Sequence, residues 1–433
     1  MKKWLLIASM LLPSLALAED APKLDSGNTA WMMMSAAMVL LMTPAGLALF
    51  YGGMTRSKNL LNTYGMVLMA FTVAFVVWIA AGYSMAFGST EGGLNSVIGG
   101  FSKLFLDGIK WTDLSGTYPT YVFVVFQGTF AAITVAIASG SVIERMKFST
   151  WLIFVAIWVL VVYAPITHMV WGGGYLFDLG ALDFAGGTVV HMNGGLAGLV
   201  LAILVGKRTG YPKVAMKPMS VMLTALGAAL LWFGWYGFNG GSAFGANAIA
   251  GLAYLTTTLA AAIAAITWVL IEWVLFKKPT LLGAASGIVA GLVAITPAAG
   301  FVDVSGAMII GVVGSIVGFF GVAILKKKFG YDDSLDAFGI HFLAGLWGAI
   351  ATGIFALNDK DLLWDGPLKE SGDRMGQIMV QLESVAIVAL FTLIGTVIVY
   401  YIASALTSGA RVDEEVEGVG LDEGLHGEKG LNL

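Results

Sequence analysis

Eleven apolar stretches of about 20 residues follow one another along this chain, and each is long enough to cross a hydrocarbon layer about 30 Å thick as a helix. They fall near residues 30–50, 60–82, 119–143, 149–170, 185–206, 219–239, 248–276, 281–297, 304–325, 337–357 and 378–406. Backbone polar groups in lipid must be satisfied within their own segment unless a barrel closes, and these long runs have the length of helices rather than strands. The expected fold is therefore all-α, a polytopic membrane protein with eleven transmembrane helices. Composition agrees: 58% of the residues are hydrophobic and 12% charged, about half the charged share of a soluble domain. The net charge of -4 is small and gives no footing for nucleic-acid binding. The absence of cysteine excludes disulfides, thiolate nucleophiles and Cys-ligated metals.

Charge sets the orientation. Arg56 and Lys58, Arg145 and Lys147, Lys207, Arg208, Lys213 and Lys217, Lys277 and Lys278, and Lys326 to Lys328 fall in every second loop. The intervening short loops, 171–184, 240–247 and 298–303, contain no Lys or Arg. Short cytoplasmic loops collect the basic residues, so the mature N-terminus is expected in the periplasm and the C-terminus in the cytoplasm of a bacterial inner membrane. Residues 1–18 read as a cleaved signal peptide, with Lys2 and Lys3, an apolar run from Trp4 to Leu17 and small residues at Ala16 and Ala18. That leaves a transmembrane domain over 19–407 and a cytoplasmic tail over 408–433.

Two histidines lie inside apolar segments. The stretch from Asp183 to Gly198 carries His191, the stretch from Asp336 to Gly348 carries His341, and both read His-x-x-x-Gly-Leu-x-Gly. Phe50 to Gly53 is echoed by Phe238 to Gly241. Matching frames and an odd number of spans per half predict a five-plus-five inverted repeat with one extra helix, whose site lies near the midplane between the halves. Ionisable groups inside a membrane line a pathway or face a partner. Gly283, Gly287 and Gly291, spaced by four, read as a helix-packing face.

Covalent catalysis has no foothold, because there is no His-Glu-x-x-His, no Gly-x-Ser-x-Gly and no phosphate-cradling loop. Two histidines alone make a poor metal site, and no cofactor is expected. The lumen they imply offers ring nitrogens among apolar side chains, with no ring of carboxylates or guanidiniums for an ion. Such a lumen passes small neutral molecules that hydrogen-bond. Cations can still be selected at its mouth, where Phe126, Gln127, Phe130, Trp171, Trp235, Phe238 and Ser242 present aromatic faces and polar groups.

The motifs Phe126-Gln-Gly-Thr-Phe130, His168-Met-Val-Trp-Gly-Gly-Gly174, Asp183 to His191, Phe238-Asn-Gly-Gly-Ser242 and Asp336 to His341 resemble, in order and spacing, the ammonium transporter (Amt/Mep/Rh) family, above all its bacterial members. The resemblance runs from about Trp31 to the tail. It implies an outer ammonium site at Phe126, Trp171 and Ser242, a gate of Phe130 over Phe238, and a lumen lined by the His191 and His341 pair. Asp183 becomes a buried carboxylate that supports recruitment through backbone and charge. The implied activity is recruitment of ammonium, its deprotonation, and conduction of ammonia. Homotrimers with a pore in each subunit, contact with membrane lipids and a PII-type signalling protein on the cytoplasmic face are implied as well.

A non-transporting ammonium sensor and a channel for another neutral gas are the alternatives; a fused signalling domain would mark the first, for which this tail is short, and the Trp171 and Ser242 mouth argues against the second. His168 reads as a structural histidine at the outer boundary. Ala285 stands where some members carry a more polarizable residue, and the outer loop 83–118 matches nothing assignable. The acidic, Gly-rich tail from Arg411 to Glu428 would read as disordered by composition, yet the resemblance favours its docking against the cytoplasmic loops.

Overall fold

The computed structural model describes residues 23–430, so the expected signal peptide over 1–18 lies outside the described residues. Eleven apolar helices run in sequence: α1 (Ser26–Met54), α2 (Ser57–Phe87), α3 (Thr120–Ser139), α4 (Phe148–Asp178), α5 (Gly187–Val205), α6 (Val221–Gly240), α7 (Ala248–Phe276), α8 (Leu281–Ile295), α9 (Val304–Phe329), α10 (Phe338–Phe355) and α11 (Arg374–Leu406). Ten are long and apolar enough to cross a membrane; α8 has 15 residues, and buried turns through Val302 carry the chain onward. The expectation of eleven spans thus meets ten full-length helices and one short one. Among the described residues the only ladder is the pair Leu114–Ser115 with Tyr118–Pro119.

Helix starts are written in the sequence. Asp25, Ser220, Asn247, Thr280, Asp303 and Asp373 each accept a backbone N–H three residues ahead, which satisfies one of the unpaired donors at a helix N-terminus. The helices also widen locally into π-turns, and three of these carry residues singled out by sequence: Gly187–Met192 holds His191, Tyr236–Gly240 holds Phe238 and Phe338–Leu343 holds His341. Such turns occur at functional positions.

Glycines set the helix contacts. A Cβ on Gly53, near the end of α1, would collide with Thr224 early in α6, while a Cβ on Gly241, just past α6, would stand 2.7 Å from Ser35 Cβ early in α1. The echoed Phe-x-Gly-Gly motifs are therefore the two reciprocal contacts of one antiparallel pair. Gly287 meets Trp268 and Gly291 meets Ala260 of α7, the packing face expected of that spacing.

Every second loop gathers at one end of the bundle, the end that carries the short-loop Lys and Arg. There Glu144, fully buried, accepts from Arg208 Nη1 at 2.8 Å, Arg56 Nε at 2.8 Å and Thr55 Oγ1 at 3.0 Å. Arg208 Nη2 also meets Asp332 at 2.7 Å. The tail closes over this network through α12 (Glu414–Val419) and α13 (Leu421–His426). Glu417 pairs with Arg411 and accepts from Thr209 N, Asp422 accepts from Asn62 N, and Leu421 N donates to Asn59. Docking, rather than the disorder composition would predict, is what the tail adopts.

Burial by itself would raise the Glu144 carboxyl, but the Arg208 and Arg56 guanidiniums bring it down from 4.5 to about 2. A depressed carboxyl contributes stability that is complete above its unfolded value and is lost as pH falls through the folded one. Glu144→Gln leaves Arg56 without its counter-charge and Arg208 with Asp332 alone, which costs about 3–5 kcal/mol. At pH 7 the thermal midpoint of this variant in detergent should lie well below that of the parent, and the gap should narrow as pH falls from 4.5 towards 2. Equal midpoints at pH 7 would show that the network does not stabilise the fold.

Candidate functional site

At the end opposite the charge network a cavity of about 450 Å3 opens among Phe123, Gln127, Phe130, Trp171, Ser242 and Trp364. Trp171 ends the segment Ala164–Trp171 of α4, just before the bend at Gly172–Gly174, and its Nε1 donates to Asp183 O at 2.8 Å. Ser242 is buried and gives its hydroxyl hydrogen to Phe238 O at 2.8 Å, which leaves its oxygen able to accept from a cation. Phe126 does not line this cavity. It is fully buried behind Phe130, with ring centroids 4.8 Å apart, because Gly241 lets its edge pack against the chain past α6.

Phe130 lies edge-on to Trp171 at 6.2 Å and stacks on Phe238 at 4.1 Å and 23°. Phe238 in turn approaches the His191 ring at 5.7 Å. His191 stacks on Trp235 at 5.3 Å and 18°, and faces His341 at 5.4 Å and 18°. The two Nδ1 atoms are 3.3 Å apart. A hydrogen bond between them needs one Nδ1–H and one bare Nδ1, so two neutral rings must hold opposite tautomers. His191 Nε2 is buried and has no protein partner, which leaves it available to a small polar ligand.

Asp183 turns inward to its own backbone. Its two oxygens accept from the N–H groups of Gly186, Gly187, Thr188 and Val189 at 2.6–3.2 Å and from the Thr188 hydroxyl. The carboxylate thereby starts α5 and holds the turn whose carbonyl orients Trp171. The acid with the matching part in the second half is Asp333, eight residues before its histidine as Asp183 is before His191. It accepts from Phe338 N and Ser141 Oγ, both at 2.8 Å. Asp336, with which the second motif begins, instead pairs with Lys326 at 2.7 Å. Equal Asp-to-His spacing was the signal for Asp333. Trp235, expected among the aromatic groups of the mouth, does not line the cavity and lies against His191 instead.

The histidine rings meet because glycine follows each by four residues. A Cβ on Gly195 would collide with Phe342 N and stand 3.1 Å from His341 Cβ; a Cβ on Gly345 would stand 3.0 Å from Gly187 O and 3.2 Å from His191 Cβ. Each glycine opens room for the other half's histidine. His168 stands apart from the pair, fully buried, with Nδ1 2.8 Å from Ala86 O and Nε2 2.7 Å from Asn95 O.

A family model described as the Ammonium Transporter Family matches residues 30–431. An ammonium transporter of Aquifex aeolicus is 48% identical over 425 residues, 97% of this chain and 96% of that one. The crystal structure of Candida albicans Mep2 superposes with a TM-score of 0.82 at 34% identity, over 91% of this chain and 88% of that one. A structure titled Sensor Amt Protein gives a TM-score of 0.84 at 30% identity, over 92% and 97%.

The reciprocal glycines are unequal, and their substitutions should differ accordingly. Gly195→Ala drives a Cβ into backbone, whereas Gly345→Ala needs its neighbours to give by a few tenths of an ångström. Overpacking of this kind costs about 1–3 kcal/mol, with Gly195→Ala at the upper end. Thermal midpoints of the two purified variants would check this, and a larger loss for Gly345→Ala would refute the packing account.

Proposed function

The chain belongs to the ammonium transporter family, and on that footing we propose that it takes ammonium at the aromatic mouth, where the ion gives up its proton to the water of the open cavity, and passes ammonia along the two histidines. The observation that carries this reading is the arrangement from Ser242 to His341. The rings that follow one another are aromatic or imidazole, and both buried acids beside them, Asp183 and Asp333, have each oxygen engaged by a hydrogen bond.

The mouth holds a cation weakly, with about 0.5–2 kcal/mol from each aromatic face and an accepting oxygen at Ser242. The lumen offers it nothing comparable. Taking an ion into a low-dielectric interior still costs several kcal/mol after relaxation, so the charged form stops where Phe130 covers Phe238. Ammonia is both donor and acceptor, and with opposite tautomers one ring of the pair has a bare Nε2 that accepts while the other has an Nε2–H that donates. The π-turn that carries each histidine and the carboxylate that starts its helix hold the rings parallel while the molecule moves.

In this reading the basic end lies in the cytoplasm of a bacterial inner membrane and the N-terminal end faces the periplasm, as the alternation of basic loops supports. Three copies assemble with a pore in each, and a PII-type signalling protein meets the face closed by the tail. A sensor of the same fold would bind at the mouth without passing substrate, which flux into liposomes decides.

Trp171→Leu removes one cation-binding face and should raise the half-saturating concentration of methylammonium by about 2- to 30-fold, the equivalent of about 0.5–2 kcal/mol. His191→Glu places a carboxylate in the lumen and should alter ion selectivity, read as current across the liposome membrane. If uptake and current were unchanged in both variants, these residues would not form the pathway.

A further inference from the structure

We infer that Lys369, paired with Asp365 on the lining of the outer cavity, sets how tightly the mouth holds a cation: its ammonium group opposes capture, and the carboxylate offsets it in part. The inference rests on the proposed capture of ammonium in that cavity. Both side chains line it, and among the described residues that do so they alone are charged. Lys369 Nζ stands 3.0 Å from an Asp365 oxygen. The partners are unequally placed, because the lysine side chain is 30% exposed and the aspartate 88%. A charge immersed in water is screened, whereas one held against an apolar wall acts over a longer distance. The cavity therefore feels the cation more than the anion.

The loop between α10 and α11 is fixed well enough to place that charge. Leu357 N donates to Phe301 O at 2.8 Å as the chain leaves α10. Leu363 and Leu368 are buried, and Trp364 lies edge-on to Phe301 at 5.4 Å. A Cβ on Gly180 would collide with Asp365 O, so that glycine lets the loop settle just past the end of α4. Gln377, in the first turn of α11, ties the same place together. Its Nε2 donates to Gly180 O at 2.9 Å, and its Oε1 accepts from Leu368 N at 3.4 Å. Lys369 follows directly in the short helical turn Pro367–Ser371.

The lysine side chain ends in an alkylammonium, the same kind of cation that the mouth takes, and it cannot leave. Taken as a sphere, a space of 450 Å3 is about 10 Å across, comparable with the screening length of about 8 Å at physiological ionic strength. A cation held between the aromatic faces and the Ser242 oxygen is thus within reach of this charge. An exposed pair gains little from its own attraction, so Asp365 cancels the lysine incompletely. Because each aromatic face attracts a cation only weakly, an opposing charge at this range counts, by about 2- to 5-fold in affinity.

Methylammonium uptake into proteoliposomes at low ionic strength tests this with variants of opposite sign. Lys369→Gln should lower the half-saturating concentration about 2- to 5-fold and Asp365→Asn should raise it about twofold, with maximal uptake in both within about twofold of the parent. Structural damage weakens capture, so tighter capture by Lys369→Gln cannot come from it. Lys369→Arg, which keeps the charge, should match the parent. So should Lys360→Gln, which removes an exposed charge of the same loop that does not line the cavity. The gain of Lys369→Gln should fade at about 1 M sodium chloride, where the screening length is about 3 Å. Half-saturation that is unchanged or raised in Lys369→Gln, or lowered equally in Lys369→Arg or Lys360→Gln, overturns the inference, as does a gain that persists at high salt. Trp171→Leu separates the two readings: no shift there defeats capture at this mouth, whereas a shift there with none in Lys369→Gln defeats only the role of the lysine.

Discussion

The closeness of two helices decides what this molecule can do. α5 and α10 approach until the Nδ1 atoms of His191 and His341 lie 3.3 Å apart, and they can do so only because Gly195 and Gly345 present no Cβ to the opposing backbone. From that contact a column of rings extends outward, His191 under Phe238, Phe238 under Phe130, and Phe130 beside Trp171. Separate the two helices and the column loses its base. The repeated His-x-x-x-Gly motif is thus a packing rule before it is a chemical one.

The treatment of charge follows from the same dryness. An acid in such surroundings is tolerable when its oxygens are satisfied, and Asp183 and Asp333 are satisfied by the backbone that begins the histidine helices. They organise the starts of the two histidine helices without presenting a free carboxylate to the column of rings. At the basic end, Glu144, Arg208, Asp332 and Arg56 neutralise one another and join loops that are distant in sequence. The tail adds Glu417 and Asp422 to that assembly, so its acidic composition serves docking rather than solvation.

Much of this was legible because a bilayer leaves few solutions. Runs of apolar residues set the helices, and two histidines in matching apolar frames marked where α5 and α10 meet. What escaped the sequence depended on side-chain direction. Phe126 has the composition of a cavity residue, yet its helix turns it inward behind Phe130, and no spacing rule distinguishes those faces when both are apolar. Trp235 reads like any other interfacial tryptophan until its stacking on His191 is seen. Asp333 was hidden by Asp336, which is nearer to its histidine and engages Lys326 instead. The docking of the tail rests on contacts with Asn59 and Asn62, some 360 residues earlier in the chain, beyond the reach of local composition.

The central claim is that the cation leaves its proton at the mouth and never enters the lumen as an ion. Potassium is nearly the same size as ammonium and has no proton to give up, so the most direct measurement compares the two in proteoliposomes of the unmodified protein, following ammonium by internal pH and potassium by a radiolabelled rubidium tracer. The account predicts rapid movement of ammonium and no rubidium flux above that of protein-free vesicles. Rubidium moving at a rate comparable to ammonium would mean that intact cations traverse the histidine pair, and would contradict it.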